Sequence, residues 1–276
     1  MNQPAMKMTE DTPDFEAIKT KQQATWGSGD YGRIGVTLQL TGESLVEAMD
    51  IRAGQTVLDV AAGNGNVTLA AARRFCKVVS TDYVDDLLKQ SEARAQAEGF
   101  SVDYRVADAE ALPFEDNQFD NVVSTFGVMF APNQPQSASE MERVCRPGGK
   151  IGMANWTPEG FIGQLFKTIG KFVPPPAGVK SPALWGTQSF LEENFSDASD
   201  IAIIEKPHVF RYQSTDHWLD LFRTYYGPVH KAFGALDSEK AGQLDADIRA
   251  LIESLNVATD GTMVVPSEYL EIVITK

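Results

Sequence analysis

Asp59 lies in the apolar segment 57–60, and Gly63 and Gly65 lie in the short turn between this segment and the apolar segment 67–72. Glycines at a turn from strand to helix let a ligand approach the backbone, because no side chain stands in the way. A carboxylate aimed at the same place suits a ligand that carries a positive charge or hydroxyl groups. Taken alone, Asp59 also has a structural interpretation, because acidic residues often bond a turn or begin a helix.

Further polar residues follow later apolar segments of the chain. Asp82 comes 23 residues after Asp59, which is the length of one strand–helix–strand unit, and its carboxylate could accept two hydrogen bonds from a ribose diol. Asp108 and Thr125 each end another apolar segment. Ligands of open parallel sheets bind at the carboxyl ends of the strands, so we expect these residues to meet along one edge. Asp108 taken singly is equally compatible with an ordinary turn acid.

Strands and helices alternate along the chain in a pattern that positions these residues. The predicted strands are 56–61, 77–81, 102–106, 119–126, 150–155, 201–212 and 263–275. The predicted helices are 15–26, 42–49, 67–74, 86–98, 136–144, 162–172, 188–194, 215–226 and 236–255. The alternation predicts an α/β fold, a doubly wound and mostly parallel sheet with helices on both faces.

Composition and charge narrow the classes of partner. The formal net charge is −14 and the sequence pI is about 4.6. A surface this acidic repels phosphate backbones and anionic lipid headgroups, so we expect neither nucleic acid nor membrane as a partner. Cys76 and Cys145 lie far apart, in no metal-ligand spacing. Residues 1–13 form a polar, loose tail without the apolar region of a signal peptide, which predicts a cytoplasmic protein.

Four motifs, in this order, resemble those of the class I S-adenosylmethionine-dependent methyltransferases: the turn 59–65, Asp82, Asp108 with Ala109, and the segment 143–149. The likeness is strongest to the small-molecule branch that includes the ubiquinone/menaquinone-biosynthesis methyltransferases, and it covers residues 56–156 well. It implies a seven-stranded sheet whose last strand is antiparallel. It also implies S-adenosylmethionine as the cofactor and a helical lid over the carboxyl ends of the strands.

The resemblance also implies an organisation and a set of cofactor-binding residues. The chain would be one domain, 1–276, with a lid (1–50), a cofactor-binding core (51–156), a helical and proline-rich insertion (157–200), and C-terminal strands with acceptor-side helices (201–276). The implied cofactor-binding residues are Trp26, Tyr31, Asp59, Ala61, Gly63, Gly65, Asp82, Tyr83, Asp108, Ala109 and Thr125. Trp26 could equally be a core anchor. Ala61 stands where the family often has glycine; alanine costs little if the backbone there keeps φ negative, so we expect ligand binding to survive.

The expected reaction is in-line methyl transfer from a sulfonium to a small organic acceptor, held close to the methyl group and away from water. If a general base takes part, His230 is the candidate among the three histidines, although a solvated surface histidine is the alternative. Arg223 and Tyr225 are candidates for positioning the acceptor. An apolar acceptor pocket could be lined by Trp156, Phe161 and Trp185, which could also be ordinary core residues.

Other chemistries fit the sequence less well. The ends of the fourth and fifth strands carry Thr125 and Asn155 rather than carboxylates, so we expect no metal site. A nicotinamide-dependent oxidoreductase, using NAD(P), is one alternative, but its fingerprint needs a third glycine where this chain has Thr68. A non-catalytic protein that keeps the fold is another. The acceptor, the methylated element (oxygen, nitrogen, carbon or sulfur) and the oligomeric state are left open.

Overall fold

A computed structural model describes residues 13–276. The tail predicted at residues 1–13 lies almost wholly outside these residues, and so does the prediction that it is not a signal peptide. The described strands are β1 (Thr56–Val60), β2 (Lys77–Asp82), β3 (Asp103–Val106), β4 (Phe119–Thr125), β5 (Cys145–Trp156), β6 (Asp200–Tyr212) and β7 (Met263–Thr275). The described helices are α1 (Phe15–Trp26), α2 (Gly32–Gly35), α3 (Gln39–Ala48), α4 (Asn66–Ala72), α5 (Asp85–Ala97), α6 (Gln134–Val144), α7 (Phe161–Phe172), α8 (Gln188–Asn194), α9 (Thr215–Tyr225), α10 (Gly227–Ala235) and α11 (Ser238–Leu255).

The seven strands form one sheet in the order β3-β2-β1-β4-β5-β7-β6. Strands β1 to β5 are mutually parallel, and β7 runs antiparallel to both of its neighbours. The predicted α/β fold, with a mostly parallel sheet and an antiparallel last strand, is therefore confirmed. The chain proceeds in opposite directions across the sheet from β1, so a crevice opens between the carboxyl ends of β1 and β4.

Apolar layers on both faces hold the helices against the sheet. One layer joins α3 and α4 to β1, and α4 is buried along its whole length. The other layer is larger and joins α6, α7, α9 and α11 to the sheet. Strand β1 is buried on both sides because helices cover both of its faces, which explains why Val57, Leu58 and Val60 are all apolar.

The structure differs from the predicted elements in three places. Helix α10 was not predicted, because the Gly227-Pro228 pair reads as a break, yet proline is well tolerated in the first turn of a helix. Strand β5 begins at Cys145, before the predicted 150. A 3₁₀ turn and α2 fill the segment before α3, where no element was predicted.

Helix α1 lies over the carboxyl edge of the sheet, and two glycines allow its close approach to the C-terminal helices. A Cβ on Gly29 would come within 2.3 Å of the Tyr225 carbonyl oxygen, and one on Gly227 within 2.5 Å of the Thr25 carbonyl oxygen. Any side chain at either position would push α1 away from α9 and α10. Among residues 13–276, no helix is both long enough and apolar enough to span a membrane.

Candidate functional site

A cleft opens at the carboxyl ends of β1, β2 and β4, beneath α1. Its empty volume is about 1120 Å³, part of which is open to solvent. Nine of the eleven residues predicted to bind the cofactor line this cleft, namely Trp26, Tyr31, Ala61, Gly63, Asp82, Tyr83, Asp108, Ala109 and Thr125. The structure thus brings residues from five separate segments to one site. The other two, Asp59 and Gly65, lie behind the cleft wall.

The glycine turn is tied to the end of β2 through Asp82. The Gly63 N–H donates to Asp82 Oδ2 (2.9 Å), and the Val84 N–H donates to Asp82 Oδ1 (2.8 Å). Each carboxylate oxygen keeps a lone pair for a further donor. Burial raises the pKa of Asp82 to about 6, despite these backbone bonds. The carboxylate is therefore held in one orientation and is ionised at neutral pH, as an acceptor for two hydroxyl groups must be.

Gly63 and Gly65 serve different purposes in the turn. Both have positive φ, 55° and 83°, a region that favours glycine. A Cβ on Gly65 would lie 1.9 Å from Ser91 Oγ, so this glycine lets the turn pack against α5. Gly63 faces the cleft, where a Cβ would lie 3.3 Å from the ring of Tyr31. Only Gly63 therefore opens the backbone to a ligand.

Asp59 lies under the turn and is fully buried. Thr68 Oγ1 donates to its Oδ2 (2.5 Å), while its Oδ1 has no hydrogen-bond partner among residues 13–276. Burial raises the pKa of Asp59 to about 8, against the opposing effect of the Thr68 bond. The predicted contact between Asp59 and the ligand stays a prediction, and the orphaned Oδ1 is the atom available for it.

The raised pKa of Asp59 gives the protein a pH-dependent stability. The folded state binds its proton more tightly than the unfolded state does, so stability is greatest at low pH and is lost as pH rises through about 8. Asp59→Asn should flatten this decline. Urea unfolding of both proteins at pH 6 and pH 9 measures the effect. An equal loss of unfolding free energy in both proteins would contradict it.

The backbone at Ala61 differs from the expectation. Its φ is +53°, not negative, so alanine occupies the left-handed region. Phe126, which faces it across the cleft wall, has φ of +58°. A non-glycine residue in this region costs about 1–2 kcal/mol, and such strain is concentrated at functional sites. The condition under which alanine would cost little, a negative φ, is therefore not met, and the expectation that ligand binding survives stays a prediction.

Ala61→Gly should stabilise the fold by about 1 kcal/mol, because glycine has no Cβ to clash at positive φ. The free energy of urea unfolding measures this gain. Ala62→Gly is the matched control at the next position, and it should lower stability because Ala62 is not at positive φ. A loss of stability in Ala61→Gly would show that the left-handed conformation carries no strain.

An ion cluster that was not predicted closes the β3 end of the cleft. Lys19 Nζ, on α1, lies 2.6 Å from Asp108 Oδ2 and 3.3 Å from Glu110 Oε2. The adjacent Gln23 Nε2 donates to the Tyr83 carbonyl oxygen (2.5 Å). Together these contacts fasten α1 to the ends of β2 and β3. No sequence motif marks Lys19, since a lysine on a short helix normally faces solvent.

The opposite end of the cleft is aromatic. Phe126 stacks on Trp156 with ring centroids 3.9 Å apart, and Trp26 packs edge-on against Phe130 (4.8 Å) and Tyr226 (5.6 Å). Of the three residues predicted to line an acceptor pocket, Trp156 does so, whereas Phe161 and Trp185 are core residues outside the lining. Phe130 and Tyr226 were missed, because an aromatic residue shortly after a predicted strand or at the end of a predicted helix resembles a core residue.

The three predicted catalytic residues, His230, Arg223 and Tyr225, lie outside the cleft lining. His230 Nδ1 is 2.9 Å from the Arg223 carbonyl oxygen, and Arg223 Nη1 bonds Asp245 Oδ1 (3.0 Å). Tyr225 packs under the Arg33 guanidinium, 5.0 Å from the ring centroid. This placement does not support the predicted roles, because a general base must come within hydrogen-bond reach of the reacting group. Within residues 13–276, no cluster of three or more His, Cys, Asp or Glu side chains could hold a metal ion.

The comparison with known proteins agrees with this geometry. Residues 58–153 match a family model described as a methyltransferase domain. An uncharacterized protein of Mycobacterium tuberculosis is 43% identical over 246 residues, covering 87% of this chain and 90% of that protein. A ubiquinone/menaquinone biosynthesis C-methyltransferase of Hydrogenovibrio crunogenus is 38% identical over 111 residues, covering 38% of this chain and 44% of that protein.

Residues 58–153 form an S-adenosylmethionine-dependent methyltransferase domain. A putative methyltransferase of Bacillus halodurans has the same fold, with a TM-score of 0.59 and 24% identity over 84% of this chain and 97% of that one. A phosphoethanolamine N-methyltransferase of Haemonchus contortus, solved with S-adenosylmethionine, has a TM-score of 0.54 and 19% identity over 86% of this chain and 52% of that one.

Membership in this methyltransferase family decides against the nicotinamide oxidoreductase considered from the sequence. S-adenosylmethionine is the cofactor of the family, and the cleft has the chemistry to take it. The ionised Asp82 suits a diol, and the Gly63 backbone is uncovered.

Proposed function

We propose that this methyltransferase transfers the methyl group of S-adenosylmethionine to a small organic acceptor by in-line displacement. The observation that carries the proposal is the division of one cleft into two ends under α1. The charged side chains that line it, Lys19, Asp82 and Asp108, belong to the end formed by β2 and β3. The end formed by Phe126, Trp156 and its neighbours is aromatic. One end suits the adenosyl group, and the other suits the acceptor.

In this proposal Asp82 accepts hydrogen bonds from the ribose diol, and the turn at Ala61 and Gly63 supports the rest of the cofactor. Tyr83, Asp108 and Ala109 enclose the adenine, and Thr125 lies at the end of β4, toward the acceptor. Trp26 and Tyr31 close the cleft from above. When bound, S-adenosylmethionine supplies a methyl group on a positively charged sulfur.

The chain's own contribution to catalysis would be to orient the acceptor and to exclude water. The aromatic rings give the acceptor a dry surface, and their faces also attract positive charge. Burial raises the pKa of the Tyr31 and Tyr226 hydroxyls, so both stay protonated at neutral pH and act as hydrogen-bonding groups rather than as bases. Holding the acceptor atom in line with the methyl group supplies most of the rate enhancement.

The proposed organisation of the domain follows the same division between cofactor and acceptor. Residues 51–156 form the cofactor-binding part, and the segments 1–50, 157–200 and 201–276 form the lid and the acceptor side of a single domain. Ile162, at the start of α7, belongs to the segment 157–200, and Phe210 and Phe222 belong to the segment 201–276. All three line the aromatic end of the cleft. The fold shared with small-molecule methyltransferases such as the phosphoethanolamine enzyme supports a small acceptor.

Two measurements test the proposal. Calorimetric titration with S-adenosylhomocysteine should give binding with one site per chain. Incubation with methyl-labelled S-adenosylmethionine and a panel of small organic acceptors should move the label into at least one compound. Absence of binding would reject the cofactor site. Binding together with transfer only to a protein or nucleic acid would reject the small acceptor.

A further inference from the structure

The inner face of α1 carries three residues that line the cleft. Lys19, Gln22 and Trp26 are spaced by three and four residues, so they lie along one side of the helix. Lys19 contacts Asp108 beyond the end of β3, and Trp26 packs at the aromatic end. Gln23, next to Gln22, bonds the Tyr83 carbonyl oxygen after β2. Gln22 therefore faces the part of the cleft between the ends of β2 and β3.

The side-chain oxygen of Gln22 is buried and accepts no hydrogen bond from any residue between 13 and 276. A buried acceptor without a partner is costly, and most such groups in proteins are paired. Gln22 lies in the wall of a cleft that opens to solvent, so a bound ligand can supply the missing donor. A carboxamide also offers N–H donors beside its oxygen.

Asp108, which the family resemblance assigns to the adenine, already has partners on both oxygens. The Glu110 N–H donates to its Oδ1 (2.9 Å), and Lys19 Nζ donates to its Oδ2 (2.6 Å). Lys19 is mostly buried, and it also contacts Glu16 and Glu110, so it is held firmly in this position. Each Asp108 oxygen keeps one lone pair, but Lys19 Nζ lies against Oδ2, so an adenine amino group there would share this oxygen with a cation.

We propose that Gln22 reads the adenine of the bound cofactor, its oxygen accepting a hydrogen bond from the 6-amino group. This assignment rests on the proposed function. A carboxamide pairs with adenine through two bonds, since its oxygen accepts from the amino group while its N–H donates to a ring nitrogen. The ion pair between Lys19 and Asp108 then sets the position of α1. Gln22 acts as a specificity-determining residue.

The test compares S-adenosylhomocysteine with its analogue that lacks the 6-amino group, by calorimetric titration of the full chain. The wild type should bind the complete ligand about tenfold more tightly, because the analogue leaves Gln22 Oε1 unpaired. Gln22→Met keeps the length of the side chain and removes its polar atoms, and its preference should fall to about twofold or less. Lys21→Met, at an exposed position of the same helix, is the control, and it should keep the wild-type preference.

Three results would overturn the assignment. A Gln22→Met protein with an undiminished preference would mean that another group reads the amine, and loss of the preference in Asp108→Asn alone would identify that group. A wild type without any preference would mean that the amine is not read. If wild type bound neither ligand, the proposed function would fail as well, which separates that failure from an error about Gln22.

Discussion

Asp82→Ala should weaken the binding of S-adenosylhomocysteine by about a hundredfold. The alanine removes an ionised acceptor for two ribose hydroxyls, and each hydrogen bond to a charged group contributes about 1.5–3 kcal/mol. It also releases the Gly63 N–H, which Asp82 Oδ2 holds at 2.9 Å. Calorimetric titration of the purified variant measures the change, and circular dichroism checks that the fold is intact.

A control variant and a change of pH distinguish the loss of the ribose contact from a general loss of structure. Asp103→Ala removes an exposed carboxylate at the start of β3, where it pairs with Arg105, and should leave binding unchanged. Lowering the pH should also weaken ligand binding by the wild type as Asp82 is protonated through its pKa of about 6. If Asp82→Ala bound the ligand within threefold of wild type, the ribose assignment would be refuted.

Gly127→Ala should disrupt the cleft more than any other change that adds a single carbon atom there. A Cβ on Gly127 would lie 2.0 Å from the Ala61 carbonyl oxygen and 2.8 Å from the Ala61 Cβ. The backbone of a strained turn cannot yield as a flexible side chain can, so we expect a loss of about 2 kcal/mol in unfolding free energy. Affinity for S-adenosylhomocysteine should fall more than tenfold, since the two walls of the cleft would separate.

Gly170→Ala is the matched control for Gly127→Ala, because it also replaces a glycine with alanine. Gly170 lies within α7, and a Cβ there would have no atom within 4 Å. This variant should gain up to about 1 kcal/mol, because alanine favours the helix, and it should bind the ligand normally. Chemical denaturation and calorimetry apply to both variants. Equal stability and equal affinity in the two would show that the contact between Gly127 and Ala61 does not matter.

The parts of this fold that depend on local pattern were predictable. The apolar run before Asp59, the glycines after it and the spacing to Asp82 reflect one strand–helix–strand unit, whose geometry is set by its own residues. The carboxyl ends of parallel strands must meet at one edge, so the cleft residues from Ala61 to Thr125 followed from the strands alone.

The parts that depend on contacts between distant segments were not predictable. Lys19 looks like a solvent-facing residue, and the sequence pattern gives Gln22 no role, until α1 is laid over β2 and β3. The positive φ of Ala61 follows from the approach of Gly127, which is 66 residues away in the chain. His230 follows a Tyr-Tyr-Gly-Pro segment, but the unpredicted helix α10 turns its side chain toward Arg223 rather than toward the cleft.

The interior position of β7 bears on how the protein is made. Among residues 13–276, strand β6 pairs only with β7, through a register of 13 residue pairs from Asp200–Thr275 to Tyr212–Met263. During translation β6 leaves the ribosome about 50 residues before β7 does. Its backbone groups then stay unpaired until β7 forms between β6 and β5. Non-local pairing of this kind is slow and leaves strand edges exposed to aggregation. Closure of the sheet therefore depends on a pairing between segments that are distant in the chain, and before it forms the edges of β5 and β6 are the surfaces open to aggregation.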